Sequence, residues 1–113
     1  MPQCLFCKIM AKEIPARIVH EDETSIAFHD INPQAPVHVL VIPRKHFASA
    51  EEAGEGDEPV LGHLHRVAAK LARELMLTGG YRTVVNTGAD AGQSVFHLHL
   101  HLLSGRPMRW PPG

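Results

Sequence analysis

The sequence predicts an α+β fold: a mainly antiparallel β-sheet of about five strands, with one long helix and a short N-terminal helix carried on one side. Three observations support this. Short β-rich runs succeed one another across turn-sized gaps, one long segment carries an apolar stripe of helical period, and a strictly alternating run stands near the C-terminus. The 113 residues fit one domain, 1–113.

From Cys4 to Lys12, residues Leu5, Phe6 and Ile9 fall at helical spacing, and Ile14-Pro15 stops the helix because proline disfavours α backbone in the residue before it. Arg17–His20 and Ser25–Phe28 are β-rich and separated by the polar Glu21–Thr24, which predicts a hairpin. Two prolines and an Asn-Pro step make Asp30–Pro36 a loop. His38–Pro43 reads as a buried strand with His38, Leu40 and Ile42 on one face and Val39 and Val41 on the other, ended by Pro43. Acidic, glycine-bearing Glu51–Glu58 is expected to be an exposed, mobile loop. Asp57 as N-cap and Pro59 in the first turn open the long helix, in which Val60, Leu61, Leu64, Val67, Ala68, Leu71, Leu75 and Met76 recur at steps of three and four. Thr78–Gly80 breaks it, Tyr81–Asn86 returns to β character, Gly88–Ser94 turns, and Val95–Leu103 is the last strand.

Composition excludes several classes. Eleven basic against twelve acidic residues leave a formal charge of −1, so no overall basic field draws a polynucleotide backbone. Apolar runs such as Val39–Ile42 are far shorter than the roughly 20 residues of a membrane span. Met1-Pro2-Gln3-Cys4 lacks the basic, apolar and small-residue regions of a secretory signal, so a cytoplasmic, reducing location is expected. The two cysteines, Cys4 and Cys7, would staple almost nothing as a disulfide; metal binding or plain packing are the two readings.

Nine histidines mark where the chemistry lies. In His97-Leu98-His99-Leu100-His101 a strand points all three imidazoles one way, about 6.6–7 Å apart, and the leucines the other way, onto the helix. No single ion binds all three. A solvent-facing polar row is the bland alternative, but three histidines in strict alternation weigh against chance. Clustered imidazoles depress one another's protonation, and a neutral imidazole is a nucleophile, so the pattern favours covalent catalysis. The Gly88–Ser94 turn offers backbone N–H groups and a hydroxyl suited to phosphate oxygens. A helix-spaced zinc-protease pair, a P-loop, a Gly-x-Ser-x-Gly elbow and a dinucleotide-binding glycine pattern are all missing. His20, His63 and His65 are assigned no chemistry.

The run His97-Leu-His-Leu-His-Leu-Leu103 resembles the His-φ-His-φ-His-φ-φ signature of the histidine triad (HIT) nucleotide-binding family. Phe28–His38, Val41–His46, Gly92–His97 and Trp110-Pro-Pro-Gly113 extend the resemblance over nearly the whole chain and are similar to the Hint branch, the purine nucleoside phosphoramidases. The Fhit-type dinucleoside polyphosphate hydrolases carry Pro-Arg after the triad, where this chain has Ser104-Gly105.

That resemblance implies a HIT-like fold and hydrolysis of a P–N bond in AMP- or GMP-amines, such as AMP-lysine. His99 would be the nucleophile that forms a transient nucleotidyl-imidazole. His101 and Ser94 would handle the leaving-group proton, with His38 and His97 completing the catalytic set. It places Asn86, Gly92, Gln93, Ser94 and Val95 at the phosphate and Asp30 at the ribose hydroxyls. Leu5, Phe6, Ile9, Phe28, His29 and Ile31 would wall the purine. Some relatives, and the related galactose-1-phosphate uridylyltransferases, imply a structural zinc at Cys4, Cys7, His46 and His97; packed, inert cysteines are the rival. No divalent-cation motif accompanies the phosphate turn, so no cofactor is expected for the displacement. A homodimer joined side by side through its sheets, with the long helix at the interface, is also implied. The rival functions are a dinucleoside polyphosphate hydrolase and a non-catalytic nucleotide- or zinc-binding module.

Overall fold

The computed structural model describes residues 4–113, so Met1–Gln3, used above against a signal sequence, lie outside the described residues. Five strands form one antiparallel sheet: β1 (Ile18–Glu21), β2 (Ser25–His29), β3 (Val37–Pro43), β4 (Tyr81–Val84) and β5 (Leu100–Ser104), in the order β1-β2-β3-β5-β4. Two helices cover it, α1 (Leu5–Met10) and α2 (Glu58–Glu74). Among the described residues no helix is long and apolar enough to cross a membrane.

The helices lie on opposite faces, not on one side as expected. Strand β3 is buried almost throughout, and alternation sends Val39 and Val41 one way and Leu40 and Ile42 the other. Both faces are apolar, so both need cover. α2 lays Leu64, Val67, Ala68 and Leu71 over Ala27, Val39, Val41, Leu98, Leu100 and Leu102. α1 brings Phe6 and Ile9 onto Ile26, Phe28, Leu40 and Ile42, with Phe6 edge-on to Phe28 at 5.5 Å between ring centroids.

The last strand is shorter than its sequence pattern. Val95–His99 is irregular, and β5 begins only at Leu100, paired with Val41. The cause lies across the sheet. Pro43 ends β3 without an N–H to donate, and its carbonyl is taken by the His97 ring, Nε2–H to oxygen 2.9 Å. Leu98 N donates instead to Phe47 O at 2.7 Å, outside the sheet ladder. The leucines keep their common face through this irregular stretch.

Smaller differences have local causes. α2 ends at Glu74 with Leu75 as C-cap, because Met76 takes a left-handed backbone, φ 57°. Asp57 is the N-cap of α2 but turns its carboxylate away, to Gly54 N (2.9 Å) and Lys45 Nζ (2.9 Å). The segment expected to be mobile contains two 3₁₀ turns, Ala50–Glu52 and Glu55–Asp57. β1 is shifted by one residue, with a bulge between Ile18 and His20, and β4 stops at Val84.

The β1–β2 turn is organised by Asp22. Its carboxylate accepts from Thr24 N (2.8 Å), Ser25 N (2.7 Å) and the rings of His20 (2.6 Å) and His63 (2.8 Å), tying the hairpin to α2. These bonds outweigh the cost of partial burial and hold the Asp22 carboxyl well below the usual carboxylate range.

Leu102 is fully buried beneath α2. Replacing it with alanine should cost about 2–5 kcal/mol, read as a lowered urea midpoint with unchanged slope.

Candidate active site

His99 closes the irregular stretch, one residue before β5, with its ring buried, 6% exposed. Its Nδ1 lies 2.7 Å from the backbone oxygen of His97. A carbonyl only accepts, so Nδ1 carries a proton, and in the neutral ring the lone pair is on Nε2. Phe6 stands edge-on to the ring at 5.1 Å and His101 at 4.8 Å, which restricts rotation.

His38 on β3 and His101 on β5 form a second, directed pair. Gln34 N donates to His38 Nδ1 at 3.0 Å, so the neutral His38 ring carries its proton on Nε2. That Nε2 is 2.8 Å from His101 Nδ1, which must accept, leaving the His101 proton on Nε2. Burial, reinforced by His99 and His38, pushes His101 down to about 4 against the opposing pull of Asp30. His38 is lowered for the same first reason, burial, with Asp30 opposing and His99 adding. The Asp30 carboxylate lies 3.5 Å from His38 Nε2. Both rings are therefore neutral near pH 7.

These rings open on a cavity of about 370 Å³. Of the residues expected at a nucleotide, it gathers Leu5, Phe6, Ile9, Phe28, His29, Asp30 and Ile31 with Ser94, Val95, His99 and His101, and His38 with them. Ile31 is almost fully exposed at the rim, 96%. The sequence reading missed Ile14, Pro15, Ala16, Asn32, Gln34 and Leu40, which also line the cavity. Loop residues such as Gln34 have no periodicity to announce them, although Leu40 shares a strand face with His38.

Several expected residues do not line the cavity. Gln93 is buried and braces its own loop, donating to Ala48 O (2.7 Å) and Val95 O (3.1 Å) and accepting from Gly88 N (2.9 Å). The N–H groups of Gly88, Gly92 and Gln93 are engaged within the turn, and of the residues expected at a phosphate only Ser94 and Val95 border the cavity. Gly92 adopts φ 102°, close to Asn86, whose Nδ2 would lie 3.7 Å from a Cβ placed there; neither borders the cavity.

His97 also turns elsewhere. Its Nε2–H is held by Pro43 O, so Nδ1 presents a lone pair, 3.0 Å from His46 Nδ1, 3.3 Å from Cys4 Sγ and 3.7 Å from Cys7 Sγ. Cys7 Sγ is 3.5 Å from His46 Nδ1. Ligands around a tetrahedral zinc, with Zn–N of about 2.0 Å and Zn–S of about 2.3 Å, stand roughly 3.3–3.8 Å from one another. The contacts among these side chains run from 3.0 to 3.7 Å, close to that spacing with the His46–His97 pair the tightest, and the carbonyl at His97 Nε2 is the outer partner a ligating imidazole needs. Burial pushes His97 down to about 4, keeping it a neutral donor. Cys4 is also the N-cap of α1, its sulfur accepting from Cys7 N.

Fold and site together define a small α+β protein in which His99 and the neutral His38–His101 pair face a cavity, while His97 joins Cys4, Cys7 and His46 in a thiol–imidazole quartet. Comparison gives the class its name. A family model described as "Scavenger mRNA decapping enzyme C-term binding" matches residues 3–110. An uncharacterized HIT-like protein of Synechocystis is 52% identical over 109 residues, 96% of each chain. A HIT family hydrolase from Legionella pneumophila superposes with a TM-score of 0.95 at 50% identity, over 98% of this chain and 100% of that one. A histidine triad nucleotide-binding protein from Candida albicans superposes at 0.83 and 34% identity, over 96% and 83%. The chain belongs to the histidine triad (HIT) family, and its likeness is to the family's hydrolases.

The depressed His101 has a stability consequence. The unfolded ring takes up its proton near 6.5 and the folded ring only near 4, so stability is full above pH 6.5 and is lost as pH falls toward 4. A loss on the order of 1–3 kcal/mol is expected from this ring. Urea unfolding at several pH values should show it, and His101→Asn should flatten that part of the profile.

Proposed function

We propose that this protein hydrolyses the P–N bond of purine nucleoside 5′-phosphoramidates through a nucleotidyl-imidazole at His99, as in the Hint branch it resembles. The observation that carries the reading is the His99 ring. Its Nδ1–H is fixed on the His97 carbonyl, so the nitrogen left with a lone pair belongs to a buried side chain lining a cavity walled by apolar residues.

The purine lies among Leu5, Phe6, Ile9, Phe28 and Ile31, with His29 beside it, and Asp30 receives the ribose hydroxyls. His99 Nε2 attacks the α-phosphorus. The P–N bond breaks, and the nitrogen leaves with the bonding pair and the Nε2 proton of His101, assisted by the Ser94 hydroxyl. The positive charge gained by the phosphorylated ring is met by the His97 carbonyl, and His101 draws a proton from solvent as it gives up its own, so neither ring of the pair is left anionic. Water then attacks phosphorus and loses its proton to solvent through the same ring, and the electron pair of the P–N bond to His99 goes back to Nε2. No step calls for a metal ion.

Cys4, Cys7, His46 and His97 are proposed to hold a structural zinc, which would cross-link α1 to the segments after β3 and before β5. A second copy is proposed to pair along the open edge of β4 and the neighbouring end of α2, where Tyr81 and Met76 are exposed.

His99→Ala should abolish release of AMP from AMP-lysine, a loss of roughly 10⁴-fold or more, with the fold intact by circular dichroism. Retained turnover would defeat the covalent reading, and faster cleavage of diadenosine polyphosphates than of AMP-lysine would move the substrate class. For the metal, elemental analysis should find about one zinc per chain. Cys7→Ser should lose it and melt lower while keeping AMP-lysine turnover.

A further inference from the structure

Arg106 stands outside the cavity, just past β5. Its guanidinium Nη2 donates to the backbone oxygen of Gln34 at 3.0 Å, and Nη1 donates to Pro107 O at 3.2 Å. Gln34 is the residue whose N–H donates to His38 Nδ1. One residue of the Asp30–Pro36 loop is thus held on its carbonyl side by Arg106 while its amide side sets the proton position on His38. The chain is brought to this loop by Gly105. Gly105 takes φ +97°, and a Cβ added there would sit 2.7 Å from Pro36 Cβ, so only glycine lets the segment after β5 lie this close.

We propose that Arg106 is a positioning residue for the leaving-group proton: by pinning Gln34, it keeps His38 in the tautomer that makes His101 a donor at Nε2. A freed Gln34 would let its amide drift from His38 Nδ1. The proton on His38 could then sit on Nδ1, turning Nε2 into an acceptor facing the His101 Nδ1 acceptor. The His101 ring would move its own proton to Nδ1 to satisfy the pair and would offer the cavity a lone pair instead of a donor. Nucleophilic attack by His99 is untouched by that change, because the His97 carbonyl governs its tautomer separately. The defect therefore falls only on leaving groups that need a proton.

The kinetic part of this inference rests on the phosphoramidase reading; the tautomer part does not. Arg106→Met keeps the apolar stem and removes the donors, whereas Arg106→Lys keeps one donor. Ring ¹⁵N spectra of the full chain should show His38 and His101 as Nε2–H tautomers in the wild type and in Arg106→Lys, with an Nδ1–H population appearing in Arg106→Met. Turnover of AMP-lysine by Arg106→Met should fall about 5- to 20-fold in kcat, part of the 10²–10⁴-fold ascribed to general acids, with KM within about twofold. First-turnover release of 4-nitrophenolate from adenosine 5′-(4-nitrophenyl phosphate), which leaves unprotonated, should be unchanged in Arg106→Met, and Arg106→Lys should recover most of the loss on AMP-lysine. Unchanged ring tautomers in Arg106→Met overturn the proposal, as does an equal loss on both substrates. Absence of AMP-lysine turnover in the wild type would defeat the functional reading alone, leaving the spectra to decide the role of Arg106.

Discussion

The site depends on one short hydrogen bond, from His99 Nδ1–H to the backbone oxygen two residues earlier. A free imidazole divides its proton between two nitrogens and turns about two torsions. This bond removes both freedoms and, in the neutral ring, makes Nε2 the lone-pair nitrogen. The acceptor is itself fixed, since His97 is buried with its ring anchored on Pro43 O. Proline therefore serves twice: lacking an N–H it ends β3, and its carbonyl holds the residue whose own carbonyl aims the His99 ring.

The three alternating histidines face the same side of the sheet yet do three different things, and their second partners decide which. His97 meets a carbonyl through Nε2 and shows Nδ1 to two thiols; His99 meets a carbonyl through Nδ1; His101 meets another imidazole through Nδ1. Burial keeps the outer two neutral, so the cluster escapes the repulsion that three imidazolium rings within a few ångströms would suffer.

Sequence showed this much because the informative signals were local. The alternation through Leu98, Leu100 and Leu102 gave the buried face, the three- and four-residue steps from Val60 gave α2, and the two faces of His38–Pro43 were assigned correctly. Signals that cross the chain were not legible. The irregular backbone at Val95–His99 follows from Pro43 on another strand, and Gln93 serves Ala48 and its own loop, not the cavity. Asp22 gathers His20 and His63 from separate elements, so histidines that look idle along the sequence brace a hairpin to a helix. The apolarity of β3 on both faces is the local signal for cover on both sides of the sheet.

The position of the cavity follows from the unequal lengths of the two helices. α2, with 17 residues, is about 25 Å long and can span a five-stranded sheet, roughly 19–24 Å across. α1 has six residues, about 9 Å, and covers only part of the opposite face. Part of an apolar, histidine-bearing surface is therefore left beside α1 without a helix over it. Phe6 marks the boundary: its ring packs on Phe28 in the covered half and meets His97 and His99 edge-on. Lengthening α1 to complete the core would fill the cavity, so the short helix and the open site are one feature of the fold.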